Sequence, residues 1–239
     1  MASPASQASR VETPGPPGGG TRERLLEAAA AVFVARGYRG ATMREIAERA
    51  RANLAAAHYH FGSKKELYLE VARSYFEKLE GRLAQDGAVP PDHVWPRSRL
   101  ALEELLERRV GALLDLLVED PGGHAILMQR ELSDPGEGLP EIVRRFVDPQ
   151  RRELEALVSR LEPSLAREEV ERCARSIVGQ VWFYATHRPA LLLLLGRDRY
   201  PRGFARSVAA HVTRFSLGGL GAVARARRAR RCRAPRRNA

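Results

Sequence analysis

The side chains in this 239-residue sequence best placed to touch another molecule lie between Thr42 and Lys64, TMREIAERARANLAAAHYHFGSK. Ala55, Ala56, Tyr59 and His60 point outward from one short helix, with His58 on its flank. Small residues followed by a phenol and imidazoles suit a helix lying close against a nucleic-acid backbone, its N-terminal residues at base edges. His58 and His60 stand at i, i+2 and so do not share a helix face, which argues against a metal pair. The surrounding residues position this helix. Thr42 with Glu45, and Ser63 with Glu66, have the capping-box spacing, and Asn53 can cap the outward helix through its side-chain oxygen. Ile46, Ala47 and Ala50 give the first helix an apolar side; Leu54, Ala57 and Phe61 do the same for the second.

From Thr21 to about Val71 the chain resembles the N-terminal DNA-binding domain of the TetR family of bacterial repressors. The resemblance rests on TRERLLEAAAAVFVARGY, then GATMREIAERA, then HYHFGSKKELYLEV. The run Asn53–Lys64, followed downstream by Gln129–Pro135 (QRELSDP), is most similar to the CecR type within that family. Two positions depart from the family pattern: Arg51 stands where the turn usually has Gly, and Ala52 where Val is usual. A left-handed residue other than Gly is strained, so the turn is either altered or held by a phosphate on the guanidinium.

The resemblance implies an all-α protein with an N-terminal three-helix helix-turn-helix domain, followed by a helical-bundle domain for ligand binding and dimerisation. The last two long helices, at about 167–187 and 203–220, would pair with their twins in a homodimer that reads palindromic double-stranded DNA. Thr42, Tyr59 and Lys64 are then expected on phosphates, with Arg44 and Arg51 as further phosphate contacts. Asn53, Ala55, Ala56 and His58 face base edges, and His60 shares the outward face. With two alanines there, thymine methyl groups and DNA shape must carry much of the readout.

The net charge of +11 is uneven. Residues 21–80 hold 11 Lys/Arg against 8 Asp/Glu, residues 81–222 hold 20 of each, and the segment from Ala224 holds eight Arg and no acid. By these counts the DNA-binding domain that the resemblance implies (21–80) is mildly basic and the implied effector-binding and dimerisation domain (81–222) is neutral; most of the excess charge lies in an Arg-rich tail (223–239) expected to be disordered. Residues 1–20, rich in Pro, Gly and Ser, are also read as disordered. Thr21 is expected to cap the first helix and Gly37 to end it; Asp148-Pro149 should kink or restart a later helix.

No apolar run approaches the roughly 20 residues that span a bilayer, and Leu191–Leu195 reads as a buried helical turn. The N-terminus lacks a secretory pattern, which places the protein in the cytoplasm without a membrane partner. Cys173 and Cys232 lie far apart with no metal-spaced partner, and no catalytic motif is present, so neither enzyme, cofactor nor metal is expected. In the neutral domain Met128, Phe146, Trp182, Phe183 and His187 are candidates, by position and bulk, for the wall of an apolar pocket. A small lipophilic or drug-like effector there would release the operator by favouring mis-spaced recognition helices. The alternative is an effector-independent architectural DNA binder driven by the Arg-rich tail.

Overall fold

The computed structural model describes residues 20–90, 94–119 and 123–233. Every regular element among them is helical. The disorder expected for residues 1–20 falls, Gly20 apart, outside the described residues, as do residues 234–239 of the tail.

Helix α1 (Thr21–Gly40) starts one residue earlier than expected. Gly20 takes the cap position and its N–H donates to the Glu23 carboxylate at 2.8 Å, so Thr21 lies inside the first turn. Gly37 breaks the helix at φ 69° and ψ 176°, a conformation in which a Cβ would be strained, and turns Tyr38 back into the core. Helix α2 (Met43–Arg49) begins at Thr42, whose hydroxyl accepts the Glu45 N–H at 3.2 Å. The expected reciprocal half of that box is absent, because the Glu45 carboxylate pairs with Arg36 at 2.8 Å instead. Helix α3 (Leu54–Phe61) is capped by Asn53 and helix α4 (Lys64–Gln85) by Ser63. Ala57 and Phe61 seat α3 against the buried Leu25, Phe33, Ile46 and Leu67, whereas Leu54, expected on that face, is exposed.

A second set of helices follows: α5 (Arg99–Leu114) with a π turn (Asp115–Glu119), α6 (His124–Ser133), α7 (Leu139–Ile142) with a π turn (Val143–Val147), α8 (Asp148–Leu161), α9 (Arg167–Thr186), α10 (Arg188–Leu195) and α11 (Phe204–Arg233). The expected break at Asp148-Pro149 takes the form of that second π turn, with Pro149 in the first turn of α8. The wider turn accommodates a residue that lacks an N–H and crowds the carbonyl four residues back. Leu106, Leu114, Leu157, Val158, Leu161, Ile177 and Val212 build the second core. Leu127 of α6 and Ile142 of α7 pack instead into the core of α1 to α4, so the two sets interlock.

Two expectations are corrected in this half. In Leu191–Leu195 only Leu192 is buried; Leu193 and Leu194 are more than four-fifths exposed. The basic tail is ordered helix as far as Arg233, because Ala224 packs fully buried while Arg227 reaches Glu169 at 3.2 Å and Arg228 reaches Ser164 at 3.1 Å. No described helix is long and apolar enough to cross a membrane.

Candidate nucleic-acid interface and ligand cavity

The turn between α2 and α3 is closed by two backbone bonds, Ala52 N–H to Ala47 O at 2.9 Å and Arg51 N–H to Glu48 O at 3.0 Å. This is the double closure of a Schellman motif, whose second residue must be left-handed. Arg51 supplies it at φ 51°, the non-glycine residue with positive φ among those described. The strain expected there is real, and the turn keeps its ordinary geometry. Ala52 is half-buried against the core of α1 to α4.

The outward side of α3 presents Tyr59, 86% exposed, with Ala55 one turn before it. Ala56 is half-buried; so is His60, edge-on to Tyr59 and Phe61 with ring centroids 5.3 and 6.3 Å away. Thr42, Arg44 and Arg51 are exposed nearby in sequence. The Thr42 hydroxyl accepts a bond as a cap and still has its proton to donate.

Three of the expected contacts have prior obligations. The Asn53 Oδ1 accepts the Ala56 N–H at 2.6 Å, which leaves its NH2 and one lone pair of that oxygen for a base edge. His58 Nδ1 lies 2.8 Å from the Gly62 carbonyl; since a carbonyl only accepts, Nδ1 carries the proton and Nε2 is left as an acceptor in the neutral ring. Lys64 departs most from expectation. Its ammonium donates to Tyr38 O at 3.0 Å and Ala41 O at 3.2 Å and lies 4.5 Å from the Tyr38 ring centroid. It ties the start of α4 to the end of α1, because those helix-end carbonyls have no helical donor. The sequence marks Lys64 as a cation at a helix start and gives no sign of these carbonyls.

Behind this unit a cavity of about 480 Å³ opens between α4, α5, α6, α8 and α9. Its wall is mainly apolar, with Phe76, Leu79, Leu113, Val147 and Val178 among its members. Of the five pocket candidates, Met128 and Trp182 line it. Phe146, Phe183 and His187 do not. Phe146 stacks behind the wall on Phe76 with ring centroids 5.1 Å apart; Phe183 is turned to the surface and stacks on His187 at 4.6 Å. On α9, Phe183 is the immediate neighbour of Trp182, and one residue turns a helical side chain about 100° away.

The cavity also contains charged groups that sequence patterning missed. Arg109, 5% exposed, donates to Glu153 at 2.9 Å and to the Gln150 side chain at 2.7 Å; burial pulls its pKa below the usual value, and the Glu153 charge opposes this. Glu131, 2% exposed, accepts from the Tyr68 hydroxyl at 2.6 Å and from the Gly136 N–H at 2.9 Å. Burial, then the bond to Glu131 and its charge, push the Tyr68 phenol far above its ordinary range. One signal was available for Glu131: it lies four residues after Leu127 and three after Met128, on the apolar side of α6. Gly136, just beyond α6, lies against the Tyr38 ring, where a Cβ would meet Cδ1 at 2.7 Å.

Two family models match separate stretches of the chain. Residues 25–71 match the family model described as bacterial regulatory proteins, tetR family. Residues 102–220 match the model for the C-terminal domain of the HTH-type transcriptional dual regulator CecR. The chain is 33% identical over 110 residues to the HTH-type transcriptional activator FasR of Mycolicibacterium smegmatis, covering 46% of each. It is 31% identical over 150 residues to CecR of Shigella flexneri, covering 58% of this chain and 63% of that one. The chain thus spans about half the length of the curated relatives it matches, and other TetR regulators match it as closely as CecR does. Among solved structures, AibR in complex with isovaleryl coenzyme A and operator DNA superposes with a TM-score of 0.57 at 18% identity, covering 84% of this chain and 97% of that one. With an N-terminal helix-turn-helix and a CecR-like helical domain matched in sequence, and the whole fold matched in space, the chain belongs to the TetR family.

Proposed function

We propose that this chain is a homodimeric, sequence-specific transcriptional repressor, active in the bacterial cytoplasm, that leaves a palindromic operator when a small lipophilic effector fills the cavity. The observation that carries this reading is α3 itself, a short helix capped at its start by Asn53, whose outer face offers Tyr59 beside small residues. Residues 21–80 act as the DNA-binding domain and 81–222 as the effector and dimerisation domain. Thr42, Arg44, Arg51 and Tyr59 meet phosphates; Ala55 and Ala56 sit close to base edges, with the free amide of Asn53 and Nε2 of His58 as polar readers and His60 supporting Tyr59 from the side. Lys64 acts from behind by fixing the angle of α4. Exposed Phe183 on α9 and Phe215 on α11 support pairing of these two helices with their twins. Two copies of α3 then need to lie about 34 Å apart to enter successive major grooves.

Met128 and Trp182 are the effector contacts retained from the sequence reading. Phe146 acts indirectly through Phe76, while Phe183 and His187 belong to the outer face. The AibR complex, with both a ligand and operator DNA on a similar fold, supports coupling between the two sites. The test is fluorescence anisotropy with a palindrome from the gene's upstream region. The dimer should prefer it over random DNA, and Tyr59→Phe should weaken it at least about a hundredfold, the loss of one hydrogen bond to a charged group in each subunit. A folded dimer with no preference for that palindrome over random DNA would refute the reading.

A further inference from the structure

Among the described residues, the arginines of the cavity wall are all matched by acids and Glu131 is matched by no base. Arg109 faces Glu153 at 2.9 Å, Arg151 faces Asp148 at 2.6 Å and Glu155 at 2.7 Å, and Arg175 faces Glu171 at 3.1 Å. Glu131 has two neutral donors, the Tyr68 hydroxyl and the Gly136 N–H. A carboxylate offers about four acceptor sites, so half of its capacity is unused. Burying an anion without a counter-charge is costly, and the cost is relieved by any cation that can reach it. The Tyr68 phenol does not supply one, since it is neutral when protonated and an anion when not. Around Glu131 the wall has aromatic surface: Tyr68, Tyr75 and Phe76 from α4 and Trp182 from α9. Ring faces attract cations, most strongly where water is excluded.

We infer that the cavity is built for a lipophilic cation, an aliphatic or aromatic body bearing an ammonium or similar positive centre held by Glu131 and the surrounding rings. The inference rests on reading the cavity as the effector site and specifies which chemistry that site selects. It also supplies a route to the DNA-facing unit. A cation drawing Glu131 into the cavity competes with Tyr68 and Gly136 for its oxygens. Gly136 lies against the Tyr38 ring, and the Tyr38 carbonyl holds Lys64 at the start of α4. Loosening Glu131 therefore loosens the contact of the segment after α6 with Tyr38, where the end of α1 meets the start of α4.

The test uses the full chain and three probes of one length, dodecyltrimethylammonium, dodecanol and dodecanoate, titrated calorimetrically below their micellar concentrations. The cation should bind at least about tenfold more tightly than the alcohol, and the carboxylate most weakly. Glu131→Gln should remove the preference of cation over alcohol, leaving the alcohol's affinity within about twofold. The cation alone should also release the operator palindrome from the wild-type dimer. Should Glu131→Gln fail to fold, the order of the three probes on the wild type decides. Equal or tighter binding of dodecanol or dodecanoate overturns the inference while leaving the cavity as an effector site. Failure of all three to bind overturns both.

Discussion

The unit around α3 and the wall of the cavity satisfy their polar groups in opposite ways. Around α3 the bonds are local: Thr42 with Glu45, Asn53 with Ala56, His58 with Gly62 and Ser63 with Glu66, each spanning three or four residues. Around the cavity the two buried charged groups are held across the chain, Arg109 by Glu153 over 44 residues and Glu131 by Tyr68 over 63, while Arg151 and Arg175 pair within one turn. A surface held by local bonds is little disturbed by changes further away, which suits the proposed role of α3 in meeting DNA in one geometry. A cavity held by distant bonds is assembled only when the whole fold is, and disturbing one bond moves elements far apart in sequence. Lys64 departs from the local pattern, with bonds that reach back to Tyr38 and Ala41.

The largest expected effect comes from Phe33→Ala. Phe33 is fully buried, edge-on to Tyr68 at 4.8 Å, and truncation should cost about 3–5 kcal/mol. Leu127 and Ile142 share its core, so the loss should shift one cooperative transition in urea, followed by both circular dichroism and tryptophan fluorescence. An early transition confined to the helix signal would show that the two regions are less interlocked than their packing indicates.

Arg109 tests the other side of the comparison. Replacing it with Ala removes the partner of Glu153 and empties volume in the second core, at a cost of about 2–3 kcal/mol. Arg109→Met should cost about half of that, since the thioether fills the space and Glu153, about a third exposed, regains water. Equal losses for the two, read from chemical denaturation, would mean that the charge pair matters more than the packing. Asn53→Ala should be smaller still, about 1 kcal/mol for a lost helix cap. Its effect on DNA affinity should exceed that only if the free amide reads a base.

This contrast also explains what the sequence could show. Caps, turns and apolar stripes around α3 are written within a few residues, so Thr42, Asn53, Ser63, Arg51, Ala57 and Phe61 were legible in type and in role. Leu54 was misplaced because spacing alone does not tell a buried helix edge from an exposed one. The long-range partners carry no such local mark. Nothing near Lys64 names the Tyr38 and Ala41 carbonyls, and nothing near Glu131 names Tyr68. The tail departs from its expected disorder for a related reason: eight Arg without acid resemble a solvated run, yet Ala224, Arg227 and Arg228 are spaced to extend α11 along Glu162 and Glu169. Bulk points Phe183 and His187 at the cavity, but bulk does not fix which way a helical side chain faces.

The smallest expected change in stability is also the one that separates folding from binding most cleanly. Arg51 takes the left-handed position of the turn, at φ 51°, where an L side chain costs about 1–2 kcal/mol. Arg51→Gly removes that strain but loosens the unfolded chain, so the net gain should be about 0.5–1 kcal/mol. If Arg51 were retained only through neutral drift, operator affinity would be unchanged or slightly better in the more stable variant. If its guanidinium meets a phosphate, affinity falls while stability rises, and the slope of log affinity against log salt shrinks by about one contact per subunit. Thermal denaturation and anisotropy at three salt concentrations, on the same preparation, distinguish the two. Opposite movements of stability and affinity would show that the turn accepts local strain in return for a cation at the DNA surface, an arrangement that the cavity wall, with its arginines already paired, does not use.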